Sequence, residues 1–193
     1  MTCCAAVPDQ PGVQPQHLRD KNGAPPNLRG PMEFPPATPI VYRPNVAAIL
    51  MNQEDRIFVA ERINIRGAWQ FPQGGIDEGE DAETALFREL AEEIGVSRDR
   101  LQVLERRDGY RYAFTKNRLK YGIYGGQEQT YFRCRFTGTD ADFNLAATHQ
   151  EFAQWRWILP HEFQMTWVPR FKRAVYRAVF ADFFGIELEM PRD

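Results

Sequence analysis

Glu89, Glu92 and Glu93 fall within one short run, Arg88-Glu89-Leu90-Ala91-Glu92-Glu93. On a helix, positions i, i+3 and i+4 share one side. Ala82, Leu86, Leu90 and Ile94 mark the apolar stripe of that same helix. Each residue advances the helix by roughly 100°, which sets Glu93 roughly 20° from Leu86 and Glu89 roughly 60° from it. Glu92 flanks them. A solvated acidic face would lie opposite the apolar stripe, whereas this one overlaps it. Carboxylates crowded beside a core repel one another and lose hydration. Divalent cations remove both costs, and oxygen-only ligation selects a hard ion, Mg²⁺ foremost or Mn²⁺. The competing reading on geometry alone is an ordinary charged face with i to i+4 pairs.

The segment before this helix supports the metal reading. In Gln73-Gly74-Gly75 the glycines let backbone approach a ligand closely. A free carbonyl near Gln73 or Gly74 would complete a coordination shell.

Several elements must position these groups. A helix is expected from about Asp81 to Ile94, closed by Gly95 as a left-handed cap. Asn45–Met51 and Arg56–Val59 read as strands joined by the polar turn 52–55. Ala68–Phe71 is a short aromatic run that ends in a Pro-Gln-Gly-Gly loop signal. Strand-like runs follow at Leu101–Arg106 and Gln129–Phe136, separated by a basic, tyrosine-rich insert, Arg106–Gly126. Gln154–Leu159 alternates as a half-buried strand does, and Pro169 opens a second helix to about Phe184, closed by Gly185. Strands and two helices without regular βαβ alternation imply an α/β fold with a mixed sheet covered by helices.

Nine of the fourteen prolines lie in residues 1–40, with few aliphatics. Such a segment buries too little surface to offset its ordering entropy, so a disordered N-terminal tail is expected at 1–40, a single domain at 41–185 and a short C-terminal tail at 186–193. Lys and Arg number 24 against 26 Asp and Glu, a net charge of -2, which gives no global attraction to nucleic acid but leaves room for a local basic patch. Three cysteines without metal-ligand spacing imply free thiols in a reducing compartment, and a cytoplasmic location is expected. No stretch is long and apolar enough to span a membrane. Nothing in the sequence points to an obligate protein partner. His17, His149 and His161 are too scattered to form a site.

The run GGIDEGEDAETALFRELAEEIGV from Gly74 resembles the Nudix box at every defined position: Glu80, Arg88, Glu89, Leu90, Glu92, Glu93, Gly95 and Val96. YRPNV at 42–46, WQFPQGG at 69–75, GQEQTYF at 126–132, EFAQWRW at 151–157 and FKRAVYR at 171–177 are similar to the bacterial RNA pyrophosphohydrolases. They are also similar to the asymmetrical dinucleoside tetraphosphate hydrolases. The resemblance spans about Val41 to Phe184 and leaves out the tail and part of the insert. It implies a Nudix α/β/α sandwich. Glu89 would be a metal ligand and would organise the attacking water. Glu92, Glu93 and the later Glu151 would also bind metal, with Gly74 contributing backbone. Glu80, Arg88 and Gly95 would hold the loop and helix in shape. Arg43 and Lys172 match basic residues near substrate phosphates, Phe171 matches a base-stacking residue, and Gln127 a pocket residue.

Phosphoanhydride hydrolysis needs a deprotonated water in line with phosphorus and neutralised phosphate oxygens, and divalent ions supply both. Arg43, Lys172 and the insert's Arg107, Arg111, Lys116, Arg118 and Lys120 are the candidates for additional charge-assisted contacts. Tyr110, Tyr112, Tyr121 and Tyr124 would either stack on bases or pack the insert against the domain. The expected substrates are an RNA 5′ end carrying a triphosphate or diphosphate, converted to a monophosphate, or diadenosine tetraphosphate, split to ATP and AMP. A non-catalytic nucleotide-binding module would carry a degraded box, which this chain does not.

Overall fold

The computed structural model describes residues 39–115, 118–146 and 150–191. The expected N-terminal tail lies outside them, apart from its last two residues. So do Lys116, His17 and His149.

The longest-buried strand is β1 (Tyr42–Met51), where the run from Asn45 to Met51 is buried throughout. Its alternation divides the core. Val46, Ala48 and Leu50 face one hydrophobic cluster, and Ala47, Ile49 and Met51 face the other. A strand covered on both faces reads as a continuous apolar run, as NVAAILM does. The remaining strands are β2 (Ile57–Arg62), β3 (Trp69–Gln70), β4 (Gln73–Gly75), β5 (Leu101–Ala113), β6 (Gly126–Phe136) and β7 (Phe152–Ile158). They form a mixed sheet in the order β3-β2-β1-β6-β5, with β4 pairing β1 and β7 pairing β2. The β1–β6 pair is parallel, and the other pairs are antiparallel.

Helix α1 (Ala82–Ile94) covers one face through Ala85, Leu86, Leu90 and Ile94. Helix α2 (Arg173–Phe184) covers the other through Val175, Tyr176, Val179, Phe180 and Phe183. The result is the expected α/β/α sandwich. Asp81 caps α1 by accepting from the backbone of Glu83 and Thr84 at 2.9 and 3.0 Å. Gly95 ends it at φ 73°, a conformation that glycine adopts without steric cost.

Four sequence expectations differ from the structure. The Pro-Gln-Gly-Gly segment is not all loop, because Gln73–Gly75 pairs with β1 as β4. The first eight residues of the tyrosine-rich insert are strand, because β5 runs on to Ala113. The register slips between Arg107 and Tyr110, with Gly109 at φ 87°, and the strand resumes with Tyr112 inward and Arg111 outward. That irregularity at Asp108-Gly109 imitates a turn in the sequence. The second helix begins later than Pro169, since Arg170–Lys172 forms a 3₁₀ turn first. After Gly185 the chain does not leave the domain as a tail: Leu188 is buried and Ile186 packs on the α2 cluster.

Candidate active site

One end of β1, together with β4, α1, the β5–β6 loop and the 170–172 turn, encloses a cavity of about 670 Å³. Its floor is a buried amide network. Gln129 donates to the side-chain oxygens of Asn45 at 2.8 Å and Gln73 at 2.9 Å, and the Tyr131 hydroxyl donates to Gln129 at 3.1 Å. These bonds fix β4 and with it the backbone N–H of Gln73, which donates to Glu93 at 3.0 Å.

Glu89, Glu93 and Glu151 line one wall. Glu93 is 4% exposed. Burial pushes its carboxyl well above the usual carboxylate range, and Glu151, which shares a hydrogen bond with it, pushes it further. Burial also raises Glu89, against the opposing pull of the Arg88 guanidinium. Arg88 contacts Glu89 at 2.8 Å and Glu80 at 2.7 Å, and donates to the Gly75 carbonyl at 2.8 Å. It therefore ties α1 to the segment before it, and Glu80 is held below its ordinary range by that contact. Glu92 is outside the cavity wall, with its side chain half-buried and 3.6 Å from Arg88. Gly95 lies outside the wall as well, at the far end of α1.

The two glycines of β4 make room for charge. A Cβ on Gly74 would fall 1.7 Å from the Glu89 carboxyl carbon, and one on Gly75 would fall 1.8 Å from an Arg43 nitrogen. Arg43, Arg62 and Lys172 bring positive charge to the same cavity. Lys172 is 8% exposed, and burial followed by Arg62 pushes its pKa down to about 8. Arg62 reaches Glu151 at 3.6 Å, and its Nε is buried without a hydrogen-bond partner. Gln127 is buried and accepts from the Tyr112 hydroxyl. Phe171 is half-buried, tilted against Tyr112 with ring centroids 5.5 Å apart.

The fold thus gathers around one cavity Arg43, Gly74, Glu89, Glu93, Gln127, Glu151, Phe171 and Lys172, together with Tyr112, Arg118, Lys120 and Tyr121 of the insert. It leaves Arg107 and Arg111 elsewhere, paired with Glu105 and Glu128. Arg62, Asn45 and Gln129 were not singled out. Asn45 and Gln129 sit inside quoted motifs, which was a usable signal, whereas nothing around Arg62 marks it.

Among the described residues, no three such side chains are drawn in to the spacing of a finished metal cluster. The donor set nevertheless suits a hard divalent cation. Glu89, Glu93 and Glu151 are oxygen donors, and burial and neighbouring carboxylates disfavour the charged forms of Glu89 and Glu93, a cost that a bound cation would remove.

The sandwich and its two-signed cavity define a class, the phosphoanhydride hydrolases that work with a divalent cation. The chain belongs to the Nudix family, whose NUDIX domain matches residues 41–179. Among its relatives, an RNA pyrophosphohydrolase of Rhodospirillum rubrum is 44% identical over 158 residues, 80% of this chain and 94% of that protein. An RNA pyrophosphohydrolase of Erythrobacter litoralis is 47% identical over 149 residues, 74% of this chain and 90% of that one. The fold is shared with an Ap4A hydrolase of C. elegans at a TM-score of 0.54 and 16% identity, covering 75% of this chain and 99% of that structure. No described helix is long and apolar enough to cross a membrane.

Proposed function

We propose that this chain is an RNA pyrophosphohydrolase that converts a 5′-triphosphate or diphosphate end to a 5′-monophosphate. The observation that carries the reading is the cavity in which Glu89, Glu93 and Glu151 face Arg43, Arg62 and Lys172. The names of the sequence relatives favour RNA as substrate over a dinucleoside polyphosphate.

Glu89, Glu93 and Glu151 would hold the cation, with Glu92 at the edge of the set and the Gly74 backbone beside it. Mg²⁺ is the ion that the all-oxygen donor set favours, with Mn²⁺ as a substitute. Bound there, the ion supplies charge neutralisation and an acidified water. The chain's own residues do the rest. Arg43 and Lys172 neutralise phosphate oxygens, and Arg62 offers a buried donor that has no other partner. Phe171 presents a half-buried ring to the first base, beside Gln127. Glu80, Arg88 and Gly95 keep β4 and α1 in register. The setting is the cytoplasm, consistent with the buried free thiol of Cys134.

A side-by-side assay tests the reading. Values of kcat/KM would be measured with Mg²⁺ on 5′-triphosphorylated RNA and on diadenosine tetraphosphate. Preference for RNA by about 10-fold or more, 1.4 kcal/mol in barrier height, supports it. Preference for diadenosine tetraphosphate replaces it with the asymmetrical hydrolase.

A further inference from the structure

The amide network under the cavity has a direction. Gln129 is 0% exposed, and its side-chain nitrogen donates to the Asn45 oxygen at 2.8 Å and to the Gln73 oxygen at 2.9 Å. Its own oxygen accepts from the Tyr131 hydroxyl at 3.1 Å. A carboxamide turned end for end exchanges its donors for its acceptor, so one fixed neighbour decides which way it lies. Here that neighbour is Tyr131, which is fully buried and whose hydroxyl has Gln129 as its one hydrogen-bond partner among the described residues. In a reversed Gln129 the nitrogen would donate to the hydroxyl oxygen, and the hydroxyl hydrogen would be buried without an acceptor, an unfavourable state. Tyr131 therefore keeps the Gln129 oxygen toward itself and both Gln129 N–H groups toward β1 and β4.

The constraint passes outward. Asn45 and Gln73 each present an oxygen to Gln129, so each turns its NH2 group the other way. Both residues line the active-site cavity, and neither amide nitrogen has an acceptor among the described residues. Neither nitrogen is among the sealed, unpartnered atoms of the interior, so both open to the cavity. Asn45 lies across from Gly75, over which Arg43 packs, and Gln73 adjoins Gly74, over which Glu89 packs. The two amides thus stand at the seam between the carboxylate wall and the cations. Phosphate oxygens accept hydrogen bonds and are repelled by carboxylates. An arginine or lysine at the seam would pair with the wall itself, whereas a neutral N–H donor holds a phosphate oxygen and leaves the carboxylates their charge.

Resting on the reading of this cavity as a polyphosphate site, and not on the choice of RNA, we infer that Asn45 and Gln73 bind non-bridging oxygens of the substrate's phosphate chain through their N–H groups, and that Tyr131, acting through Gln129, is the positioning residue that keeps both donors facing the cavity.

The test reads the inhibition constant of inorganic tripolyphosphate, which has neither base nor sugar, together with kcat and KM on 5′-triphosphorylated RNA and on diadenosine tetraphosphate. Gln73→Met keeps the length and neutrality of the side chain but carries no N–H. Its inhibition constant and KM should rise about 10–100-fold, the range for one hydrogen bond to a charged group, with a smaller change in kcat. Asn45→Asp keeps an oxygen for Gln129 and turns a second oxygen to the cavity, with the same sign of effect. Tyr131→Phe removes one buried hydroxyl and frees Gln129 to reverse, so the same constants should rise about 2–10-fold. Gln129→Glu accepts only, draws both NH2 groups inward and should raise them further. Should Gln129→Glu fail to fold, Tyr131→Phe decides the same point. Thermal melting separates the readings: a merely structural network would lower the melting temperature and leave the inhibition constant of the folded enzyme unchanged. An unchanged constant in Gln73→Met, or in Tyr131→Phe, overturns the proposal and leaves the cavity reading standing. A wild type that tripolyphosphate does not inhibit and that cleaves neither substrate overturns both.

Discussion

Replacing Gly74 with alanine separates the placement of the carboxylate wall from the stability of the fold. The added Cβ would lie 1.7 Å from the Glu89 carboxyl carbon and 2.0 Å from each of its oxygens. Carbon contacts settle near about 3.5–4.0 Å, so the carboxylate must retreat by roughly 2 Å. The obstacle is the end of a flexible side chain, and Gly74 is not among the glycines at positive φ, so its backbone accepts alanine. An off-rotamer glutamate costs about 0.5–1.5 kcal/mol. In a domain of this size each kcal/mol is about 2–4 °C of melting temperature. Activity is far more sensitive, because a 1 Å misplacement of a catalytic group costs on the order of 10²-fold.

Gly74→Ala should therefore melt within a few degrees of wild type while kcat on triphosphorylated RNA falls by at least about 10²-fold. Gly75→Ala is the internal comparison. Its Cβ would meet the Arg43 guanidinium at 1.8 Å, so the displaced group is the cation proposed to bind phosphate and KM should rise more than kcat falls. Wild-type kcat in Gly74→Ala would refute the assignment of Glu89 to the reaction. A large loss of melting temperature would refute the claim that only a side chain stands in the way.

Other perturbations have equally definite signs. Lys172 loses its charge as pH rises through about 8, so kcat/KM should fall on the alkaline side there, and Lys172→Arg, which stays charged, should flatten that limb. Burial raises the Glu93 carboxyl, so the metal-free fold binds its proton more tightly than the unfolded chain does. Stability conferred in the protonated state is complete below the unfolded pKa and is lost as pH rises through the folded one. Melting of the metal-free protein should therefore fall with rising pH above the ordinary glutamate range, and Glu93→Gln should remove that fall. Titration calorimetry on the same variant should find Mg²⁺ affinity reduced by at least about 10–100-fold, the cost of losing even an indirect support of a metal ligand. Leu90→Ala, at a position 1% exposed between α1 and the sheet, should lower unfolding free energy by about 2–5 kcal/mol in denaturant melts, with activity per folded molecule retained.

The elements governed by local signals were the legible ones. Asp81 and Gly95 mark both ends of α1 because capping is chemistry within one turn. The overlap of Glu93 with the apolar stripe was readable on the helical wheel, and Glu93 is buried. For Glu92 the ordinary i to i+4 pairing is what the helix shows: Arg88 stands four residues earlier, 3.6 Å away, and Glu92 is outside the cavity wall. Sheet order was not readable, since the parallel β1–β6 pairing joins segments separated by α1 and β5. The approach of Arg62 to Glu151 has the same origin, because it depends on the pairing of β2 with β7.

The paired glycines of β4 seat Glu89 and Arg43 in the cavity without pairing them to each other. Successive residues of a strand point to opposite faces. The space left by the missing side chain of Gly74 is filled by an acid from α1, and that left by Gly75 is filled by a guanidinium from β1. Arg43 consequently forms no ion pair with Glu89 among the described residues, while Arg88 supplies the counter-charge for Glu89 from the same helix. A single glycine would accommodate only one of the two groups. A direct Arg43–Glu89 pair would occupy the guanidinium that is proposed to meet a phosphate. The three residues of β4 thus sort the opposing charges, and the amide network of Asn45, Gln129 and Gln73 beneath them holds that strand in place.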